Sequence, residues 1–105
     1  MENLRLNQIK EMLKVEPEDE FLNYALAIEF EKSGEINQAI NQLQGMIAKN
    51  ENYLAAYYKL GKLFEEVSRS EDAKAIYAKG QEIAKQQNNK KAFGELAEAL
   101  WMLED

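Results

Sequence analysis

The sequence predicts an all-α fold of about six helices, and three observations support this prediction. Apolar residues recur every three or four positions along almost the whole chain, the spacing that places them on one side of an α-helix. The 105 residues include one proline and five glycines, too few helix breakers for a turn-rich β-sheet protein. Only a few polar residues separate the periodic segments, so consecutive helices must pack as antiparallel neighbours.

The first predicted helix covers residues 5–15 and ends before Pro17, because proline cannot continue a helix and disfavours helix just before it. Its apolar positions are Leu6, Ile9, Met12 and Leu13. The second predicted helix begins in the acidic run 18–20, where negative charge suits the helix dipole. It ends at Ser33-Gly34, and Gly34 is suited to the left-handed conformation that caps a helix. Its apolar positions are Phe21, Tyr24, Ala27, Ile28 and Phe30.

Four further helices follow from the same reasoning. The third ends near Asn50, and Asn52 is predicted to cap the start of the fourth. The fifth begins at Ser70, for which capping is the expected role, and the polar run 86–89 is predicted to be a loop before the sixth. The apolar positions are, in order, Ile36, Ala39, Ile40, Leu43, Met46 and Ile47; Ala56, Tyr57, Leu60, Leu63 and Phe64; Ala73, Ile76, Tyr77, Gly80 and Ile83; and Phe93, Leu96, Ala97, Leu100 and Leu103.

Composition argues against an enzyme. The chain has no cysteine and no histidine, which excludes disulfides, cysteine or histidine zinc sites and the usual nucleophile–base pairs. Carboxylate pairs such as Glu16/Glu18 and Glu65/Glu66 are expected to be solvated surface. No glycine-rich phosphate loop or calcium-loop pattern is present. We therefore expect no catalytic residue, no metal and no cofactor.

Charge and hydropathy restrict the partners. The net charge is −6, from 13 basic and 19 acidic side chains, and an acidic surface repels nucleic acids and anionic lipids. The amino terminus lacks the continuous apolar run of a signal peptide, and no stretch has the twenty or so apolar residues needed to span a bilayer. We expect a soluble cytoplasmic protein that binds neither nucleic acid nor membranes.

Six short-looped helices can form either a compact bundle or a stack of hairpins, and internal repetition favours the stack. Sliding the sequence along itself until Tyr24 falls on Tyr58 also superposes four other pairs of identical residues: Leu26 on Leu60, Phe30 on Phe64, Glu31 on Glu65 and Ala39 on Ala73. The same shift places Ala27 on Gly61 and Leu43 on Tyr77. These are mainly the positions that set helix packing, since small residues permit close approach and large ones fill the gaps.

This pattern resembles the tetratricopeptide repeat family, and in particular its small bacterial-type members. The family's 34-residue period, its large–small pair (Leu26-Ala27, Leu60-Gly61), its later aromatic (Phe30, Phe64), its turn glycine (Gly34, replaced by Ser68) and its alanine (Ala39, Ala73) are all in register. The repeat-closing proline matches Pro17. The resemblance implies a right-handed superhelical stack of antiparallel hairpins, an α-solenoid, in one domain over residues 1–105.

The repeat frame divides that domain. It predicts a half repeat at 1–16, whole repeats at 20–53 and 54–87, and a capping helix at 88–105. Two extra residues in the 86–89 loop align Leu96-Ala97 with the large–small pair. Replacing Ala39 or Ala73 by a large residue is expected to destabilise the fold by overpacking.

The resemblance also implies a function: non-enzymatic binding of a peptide or helix of a partner protein in a concave groove lined by the first helix of each repeat. The implied groove residues are Phe21, Tyr24, Ile28, Glu31, Ala55, Tyr58, Lys62, Glu65, Lys91 and Glu98. Tyr24 and Tyr58 lead this set, because tyrosine joins a rigid face to a hydroxyl; packing between helices is the alternative interpretation. The aromatic walls and acidic neighbours suggest an apolar or mildly basic peptide.

A chaperone-tail clamp is disfavoured. Repeats that clamp the terminal carboxylate of chaperones use lysine, asparagine and arginine at set groove positions. The matching residues here are Tyr24, Ile28, Lys59, Lys91 and Glu95. Only the two lysines fit in charge, and the asparagine position holds apolar Ile28.

A second function class is self-association as a scaffold through the terminal helices, which lack a covering repeat. The candidate residues are Leu4, Ile9 and Leu13 at one end and Trp101, Met102 and Leu103 at the other. Trp101 is either an exposed contact residue or packs over Ile83 or Phe93. A third interpretation is a piece of a longer array, against which Met1 and the polar end Glu104-Asp105 favour a complete chain.

Overall fold

The computed structural model describes residues 3–104, which form six α-helices and no strand. The helices are α1 (Leu4–Val15), α2 (Glu20–Lys32), α3 (Ile36–Lys49), α4 (Leu54–Glu66), α5 (Ser70–Gln86) and α6 (Lys90–Leu103). The all-α prediction is therefore confirmed. The outer limits of the predicted domain, Met1 and Asp105, lie outside the described residues. The expectation of a complete chain rests partly on these two residues.

Side chains cap three of the helices at their starts. Asn3, Asp19 and Asn89 each accept a hydrogen bond from the backbone amide three residues later. The predicted cap at Asn52 is wrong, since Tyr53 is the residue before α4 and makes no side-chain cap. The Asn52 amide instead donates to Asn50 Oδ1 at 3.0 Å, because the short asparagine side chain closes the loop on itself.

Helix α5 differs from its prediction in the residue that precedes it and in the position of its last residue. Ser70 is its first residue, as expected, but does not cap it; the preceding Arg69 takes that place and pairs with Asp72 at 2.7 Å. At the other end Gln86 belongs to the helix, although the sequence predicts a loop over 86–89. Helix α5 has 17 residues against 14 in α3, so polar residues here continue the helix by a further turn.

Three turns contain a left-handed residue just after the helix. These residues are Gly34 (φ 80°), Ser68 (φ 61°) and Asn88 (φ 56°), in the α2–α3, α4–α5 and α5–α6 turns. The next backbone amide in each case donates back to the last turn of the helix, as Glu35 does to the Phe30 carbonyl at 2.8 Å. The predicted left-handed role of Gly34 is confirmed. Ser68 and Asn88 adopt the conformation without the freedom of glycine, which costs about 1 kcal/mol each.

The α1–α2 and α3–α4 loops form a second type, and they share two backbone hydrogen bonds at matching positions. The matching backbone hydrogen bonds lie one repeat period apart and run from Glu16 to Met12 and from Asn50 to Met46, then from Asp19 to Glu16 and from Tyr53 to Asn50. One period also separates the starts of α2 and α4, and those of α3 and α5, whereas α6 starts two positions later than the period places it.

The main packing in the described part runs between helices adjacent along the chain, from α1 on α2 through to α5 on α6. The molecule is elongated, with extents of 41 × 29 × 20 Å. This is a stack of hairpins rather than a compact bundle. All eight residues predicted to set the packing are buried: Leu26, Ala27, Phe30, Ala39, Leu60, Gly61, Phe64 and Ala73.

A glycine in α4 leaves room for a tyrosine ring of α5. A Cβ atom at Gly61 would lie 2.1 Å from Cε1 of Tyr77, which is fully buried in α5. Gly80 of α5 faces α4 in a similar way, with its absent Cβ 2.9 Å from the Cβ of Tyr57. The two tyrosine rings therefore occupy space that the two glycines leave.

Helix α1 is fastened to α2 by a buried carboxylate. Glu29 is buried, and its Oε1 lies 2.8 Å from Nε of Arg5 and 3.8 Å from Nζ of Lys32. The Asn3 side chain also donates to the Ser33 hydroxyl at 2.5 Å. A buried charge requires such partners, since an unpaired carboxylate would strongly destabilise the fold.

No helix within residues 3–104 has the length and apolar character required to cross a bilayer. The same residues contain no group of three or more carboxylates placed to hold a metal ion.

Candidate protein-binding surface

One side of α2 and α4 carries eight of the ten predicted groove residues. They are Phe21, Tyr24, Ile28 and Glu31 on α2 and Ala55, Tyr58, Lys62 and Glu65 on α4, and we call this surface the tyrosine face. Spacings of three and four residues keep each set on one side of its helix. Phe21 is 73% exposed and Tyr58 is 40% exposed, whereas Tyr24 and Ile28 are half-buried.

An ion pair joins the two helices across this face. The Lys59 ammonium of α4 lies 2.9 Å from the Glu31 carboxylate of α2, and both side chains are mostly covered. The pair connects the end of α2 to the middle of α4 on this face. It also neutralises Lys59, one of the lysines that a carboxylate clamp would use.

Tyr24 is held by an aromatic neighbour. Its ring centroid lies 5.8 Å from that of Tyr53, with the planes tilted by 54°. Such tilted pairs are favourable because the edge of one ring meets the face of the other. Burial raises the pKa of the Tyr24 phenol, which Lys59 lowers and Glu31 raises to smaller extents. Tyr24 therefore stays protonated and can donate its hydroxyl hydrogen to a ligand.

Tyr58 lies in a corresponding group on the second hairpin. Its ring centroid is 6.2 Å from that of Tyr77, and Nζ of Lys62 lies 5.4 Å from the Tyr58 centroid. The Lys62 ammonium is also 3.9 Å from the Glu65 carboxylate. The Tyr58 ring is consequently exposed but restrained, which lowers the entropy lost when a ligand covers it.

Glu65 connects the face to the core. The hydroxyl of buried Tyr77 donates to its carboxylate at 2.5 Å. Burial raises the pKa of Tyr77, and the hydrogen bond to Glu65 raises it further. A charge-assisted bond of this kind is strong, so Glu65 stabilises the α4–α5 packing, and the same oxygen lies 3.9 Å from Lys62 of the tyrosine face.

The two remaining predicted residues, Lys91 and Glu98, are exposed on α6. No hydrogen bond or ion pair within residues 3–104 connects either of them to α2 or α4. They occupy the α6 positions that correspond to Ala55 and Lys62 of α4 once the two extra loop residues are counted. The structure thus links five of the predicted residues to neighbours by specific contacts: Tyr24, Glu31, Tyr58, Lys62 and Glu65. Phe21, Ile28 and Ala55 share the face with them, and Lys91 and Glu98 lie on a different helix.

Tyr53 and Tyr77, which pack against this face, were missing from the predicted set, and so was Trp101 of α6. Tyr53 contacts Tyr24 from a loop, and Tyr77 contacts Tyr58 from the core. The spacing of residues along α2 and α4 cannot reveal these partners, because they lie outside the two helices. Trp101 stands in α6 at the position that Glu65 holds in α4, and the frame that selected Lys91 and Glu98 also selects it. The repeat frame alone contained the signal for Trp101.

The terminal helices differ from expectation in one respect. Ile9, proposed as part of an exposed end, is buried in the core against α2, because it lies on the same side of α1 as Leu6. Leu13 and Leu103 are partly buried. Leu4 and Met102 are exposed, and so is Trp101, which rules out its packing over Ile83 or Phe93.

A polar cavity of about 500 Å³ lies away from the tyrosine face, between the start of α2 and the end of α3. Its polar groups mainly bond to one another: the Gln42 amide donates to Asn23 at 2.8 Å, and Lys49 pairs with Glu18 at 3.0 Å. These satisfied side chains connect the two helices of the hairpin, and none of the ten predicted groove residues lines this cavity.

Two experimental structures of a tetratricopeptide repeat domain protein from Salinibacter ruber resemble this chain. The solution NMR structure is 36% identical with a TM-score of 0.81, covering 84% of this chain and 89% of that one. The chain belongs to the tetratricopeptide repeat family. The crystal structure of the Salinibacter protein is 34% identical with a TM-score of 0.76, covering 81% of this chain and 96% of that one.

A third neighbour shares the fold alone. The crystal structure of MamA has a TM-score of 0.66 at 23% identity, covering 93% of this chain and 64% of that one. No family model matches the chain, and no curated protein does. Tetratricopeptide repeats are protein–protein interaction modules, and this chain is a small module of that type.

Proposed function

We propose that this tetratricopeptide repeat protein is a cytoplasmic adaptor that binds a peptide or helix of a partner in a concave groove and catalyses no reaction. The groove would be lined by the tyrosine face and extended by Lys91 and Glu98. The observation that carries the proposal is the repeated presentation of tyrosine: Tyr24 and Tyr58 occupy the same position in successive hairpins, each beside a second tyrosine. Rigid aromatic side chains with a polar tip are enriched at binding hot spots.

The charges of the face favour an apolar or mildly basic segment as the ligand. Lys59 and Lys62 are each paired with a glutamate of the same face, so neither is a ready site for a ligand carboxylate. Phe21 and Ile28 add apolar area beside Tyr24. The net charge of −6 additionally repels acidic partners and attracts basic ones over a Debye length.

The proposal is tested by partner capture with a Tyr24→Ala, Tyr58→Ala double variant. Capture by the wild type that is lost in the double variant supports the groove, because both substitutions remove ring area without unpairing a charge. The control is a Gln44→Ala, Lys79→Ala variant, whose residues line a cavity beside α3 and α5 rather than the tyrosine face. Equal capture by all three proteins, with retained helicity and melting temperature, would exclude the tyrosine face.

A second candidate function is self-association as a scaffold subunit through the terminal helices. It is favoured by the exposure of Trp101, a residue whose large apolar surface is seldom left in solvent. Sedimentation equilibrium tests it directly: a molar mass that rises with protein concentration supports self-association, and a constant monomer mass at millimolar protein excludes it.

A further inference from the structure

Helix α1 has an exposed apolar strip beside its buried one. Leu4 is 69% exposed, Val15 is 81% exposed, and Met12 is about half exposed. Spacings of eight and three residues place the three side chains on one side of the helix. We call them the α1 end face. The neighbouring strip, Leu6 and Ile9, is buried against α2.

Helix α6 has a corresponding strip at the other end of the stack. Phe93, Ala97 and Trp101 follow one another at intervals of four residues, and Trp101 is 73% exposed. We call these three the α6 end face. Ala97 lies where the earlier hairpins carry Ala27 and Gly61, both of which are buried beneath the helix that follows. The α6 end face is therefore shaped like a surface that receives another helix.

The loops indicate which kind of helix stands at each end. The hydrogen bonds at the end of α1 recur one repeat period later at the end of α3, so α1 has the register of the second helix of a hairpin. Helix α6 follows α5 in the same way that α4 follows α3. It carries Leu96-Ala97 at the positions that Leu60-Gly61 occupy in α4, so α6 has the register of the first helix of a hairpin. One end thus presents a second helix and the other end a first helix.

We propose that copies of this chain join head to tail, with α1 of one copy packing on the α6 end face of another in the place of the second helix of a hairpin. The inference rests on the self-association proposed above and specifies its geometry. A hairpin formed in this way by two chains covers the α1 end face and the α6 end face in a single contact.

The contacts inside the chain predict those between copies. Tyr57 contacts Gly80 between α4 and α5, and the matching residues are Phe93 and Met12 of the next copy. Glu65 meets Tyr77 in the same pair of helices, which places Trp101 against α1 of the next copy near its Ile9. Met12 of the α1 end face and Phe93 of the α6 end face therefore meet each other, and Trp101 lies beside them.

Charge supports the same geometry. The edge of the molecule at the α1–α2 loop is acidic, with Glu16, Glu18, Asp19 and Glu20, whereas the edge at the α5–α6 turn is basic, with Lys85, Lys90 and Lys91. Successive loops on this edge are neighbours, since the Gln87 side chain donates to the Asn52 carbonyl at 2.8 Å. Head-to-tail joining places the acidic edge of one copy beside the basic edge of another. Glu20 and Asn50, hydrogen-bonded within the first hairpin, correspond to Lys90 and Glu16 of the next copy.

One residue limits the strength of the contact. Arg5 stands in α1 where Ala39 and Ala73 stand in α3 and α5, and its guanidinium is bound by Glu29. Because this long side chain replaces a fully buried alanine, α1 approaches the α6 of another copy less closely than α3 approaches α2. The contact is heterologous and does not close on itself as a two-fold dimer does, so association extends beyond dimers as concentration rises.

Blocking each end separately tests the geometry. A Met12→Glu, Val15→Glu variant blocks α1, because Met12 is the residue placed against Phe93, and a Trp101→Glu variant blocks α6; all three side chains are exposed, so the monomer fold is retained. Sedimentation equilibrium is expected to give a mass that rises past the dimer for the wild type and a monomer for each blocked chain. An equimolar mixture of the two blocked chains should form a dimer and nothing larger, because only one pair of open ends remains.

The control is Met102→Glu, an equally exposed change on α6 outside the α6 end face, which should associate like the wild type. Reversing one pair of charges provides a second measurement. Glu16→Lys and Lys90→Glu should each weaken association, because each places like charges at the contact between copies. The Glu16→Lys, Lys90→Glu double variant restores opposite charges there and should recover association. A blocked chain that dimerises alone would overturn the head-to-tail geometry while leaving self-association intact. Blocked chains that stay monomeric when mixed would also overturn it. A wild type that is monomeric at every concentration would end both proposals.

Discussion

The two complete hairpins solve the same packing problem with different residues. In the first, Ala27 and Leu43 occupy the close-approach positions; in the second, Gly61 and Tyr77 do. The smaller residue on α4 is matched by a larger one on α5, so the filled volume is similar. The difference has a consequence at the surface, because Tyr77 reaches through the core to bond Glu65 of the tyrosine face. A hydrogen bond thus couples the core to the tyrosine face in the second hairpin, whereas apolar Leu43 can make no such bond in the first.

The largest change in the free energy of unfolding is expected at positions where both hairpins carry the same buried residue. Ala39 and Ala73 are fully buried at matching positions, and Ala39→Leu or Ala73→Leu should each lower the free energy of unfolding by about 3 kcal/mol through overpacking. Urea denaturation followed by circular dichroism measures this change. An unchanged melting temperature in either variant would show that the repeat frame has been placed wrongly.

A smaller effect is expected at the positions where the two hairpins carry different residues. Gly61→Ala is expected to cost about 1–3 kcal/mol, since the added Cβ would meet the Tyr77 ring at 2.1 Å. Tyr77→Leu should cost about 3 kcal/mol, because it leaves a cavity and also removes the hydrogen bond to Glu65. Together they recreate the alanine–leucine pair of the first hairpin.

The Gly61→Ala, Tyr77→Leu double variant is therefore expected to lose less stability than the two single variants lose together. The coupling energy in a double-mutant cycle should be about 1 kcal/mol. The matched control is Gly45→Ala in α3, where a Cβ meets nothing within 4 Å. That change should stabilise the protein by up to about 1 kcal/mol through helix propensity. Strict additivity of Gly61→Ala and Tyr77→Leu would contradict the volume compensation.

Removing only the hydroxyl of Tyr77 tests the coupling to the surface. Tyr77→Phe keeps the ring and loses the hydrogen bond to Glu65, so unfolding should become easier by about 1–2 kcal/mol. If core and face are coupled as described, the same variant also weakens partner binding through Tyr58 and Glu65. Isothermal calorimetry with the captured partner measures this, and full affinity in the variant would separate the two functions of Glu65.

The smallest expected effect concerns the ion pair between the hairpins. Lys59→Met removes the contact with Glu31, and partly exposed pairs contribute about 0.5 kcal/mol. The loss should shrink further in high salt, where the wild-type pair is screened. A loss that is independent of salt would assign Lys59 a packing role through its methylene chain.

Periodicity predicted most of the fold. The spacing of apolar residues indicated six helices, and the internal repeat selected eight packing residues that are all buried. Errors occurred where local polar chemistry decides a boundary. Asn50 closes the α3–α4 loop in place of a cap at Asn52, and Gln86 continues α5 because polar residues tolerate helix as well as loop.

The surface was less predictable, since it depends on the relative placement of helices. The contacts of Tyr53 with Tyr24 and of Lys59 with Glu31 join different helices, and no spacing within one helix reveals them. The burial of Ile9 was missed because a terminal helix still has one covered side. The two interpretations of Trp101 could be separated only by seeing which neighbours surround it.

The matching α1–α2 and α3–α4 loops have a practical consequence for building longer proteins from this chain. Segment 20–53 is entered and left through the same backbone hydrogen bonds, so its two ends are interchangeable splice points. A duplicate of this segment inserted after residue 53 requires no new linker, and each insertion adds another copy of the Tyr24 position. Segment 54–87 lacks this property, because it leaves through a left-handed Asn88 rather than through the loop by which it is entered. The chain can thus be lengthened at one seam and not at the other.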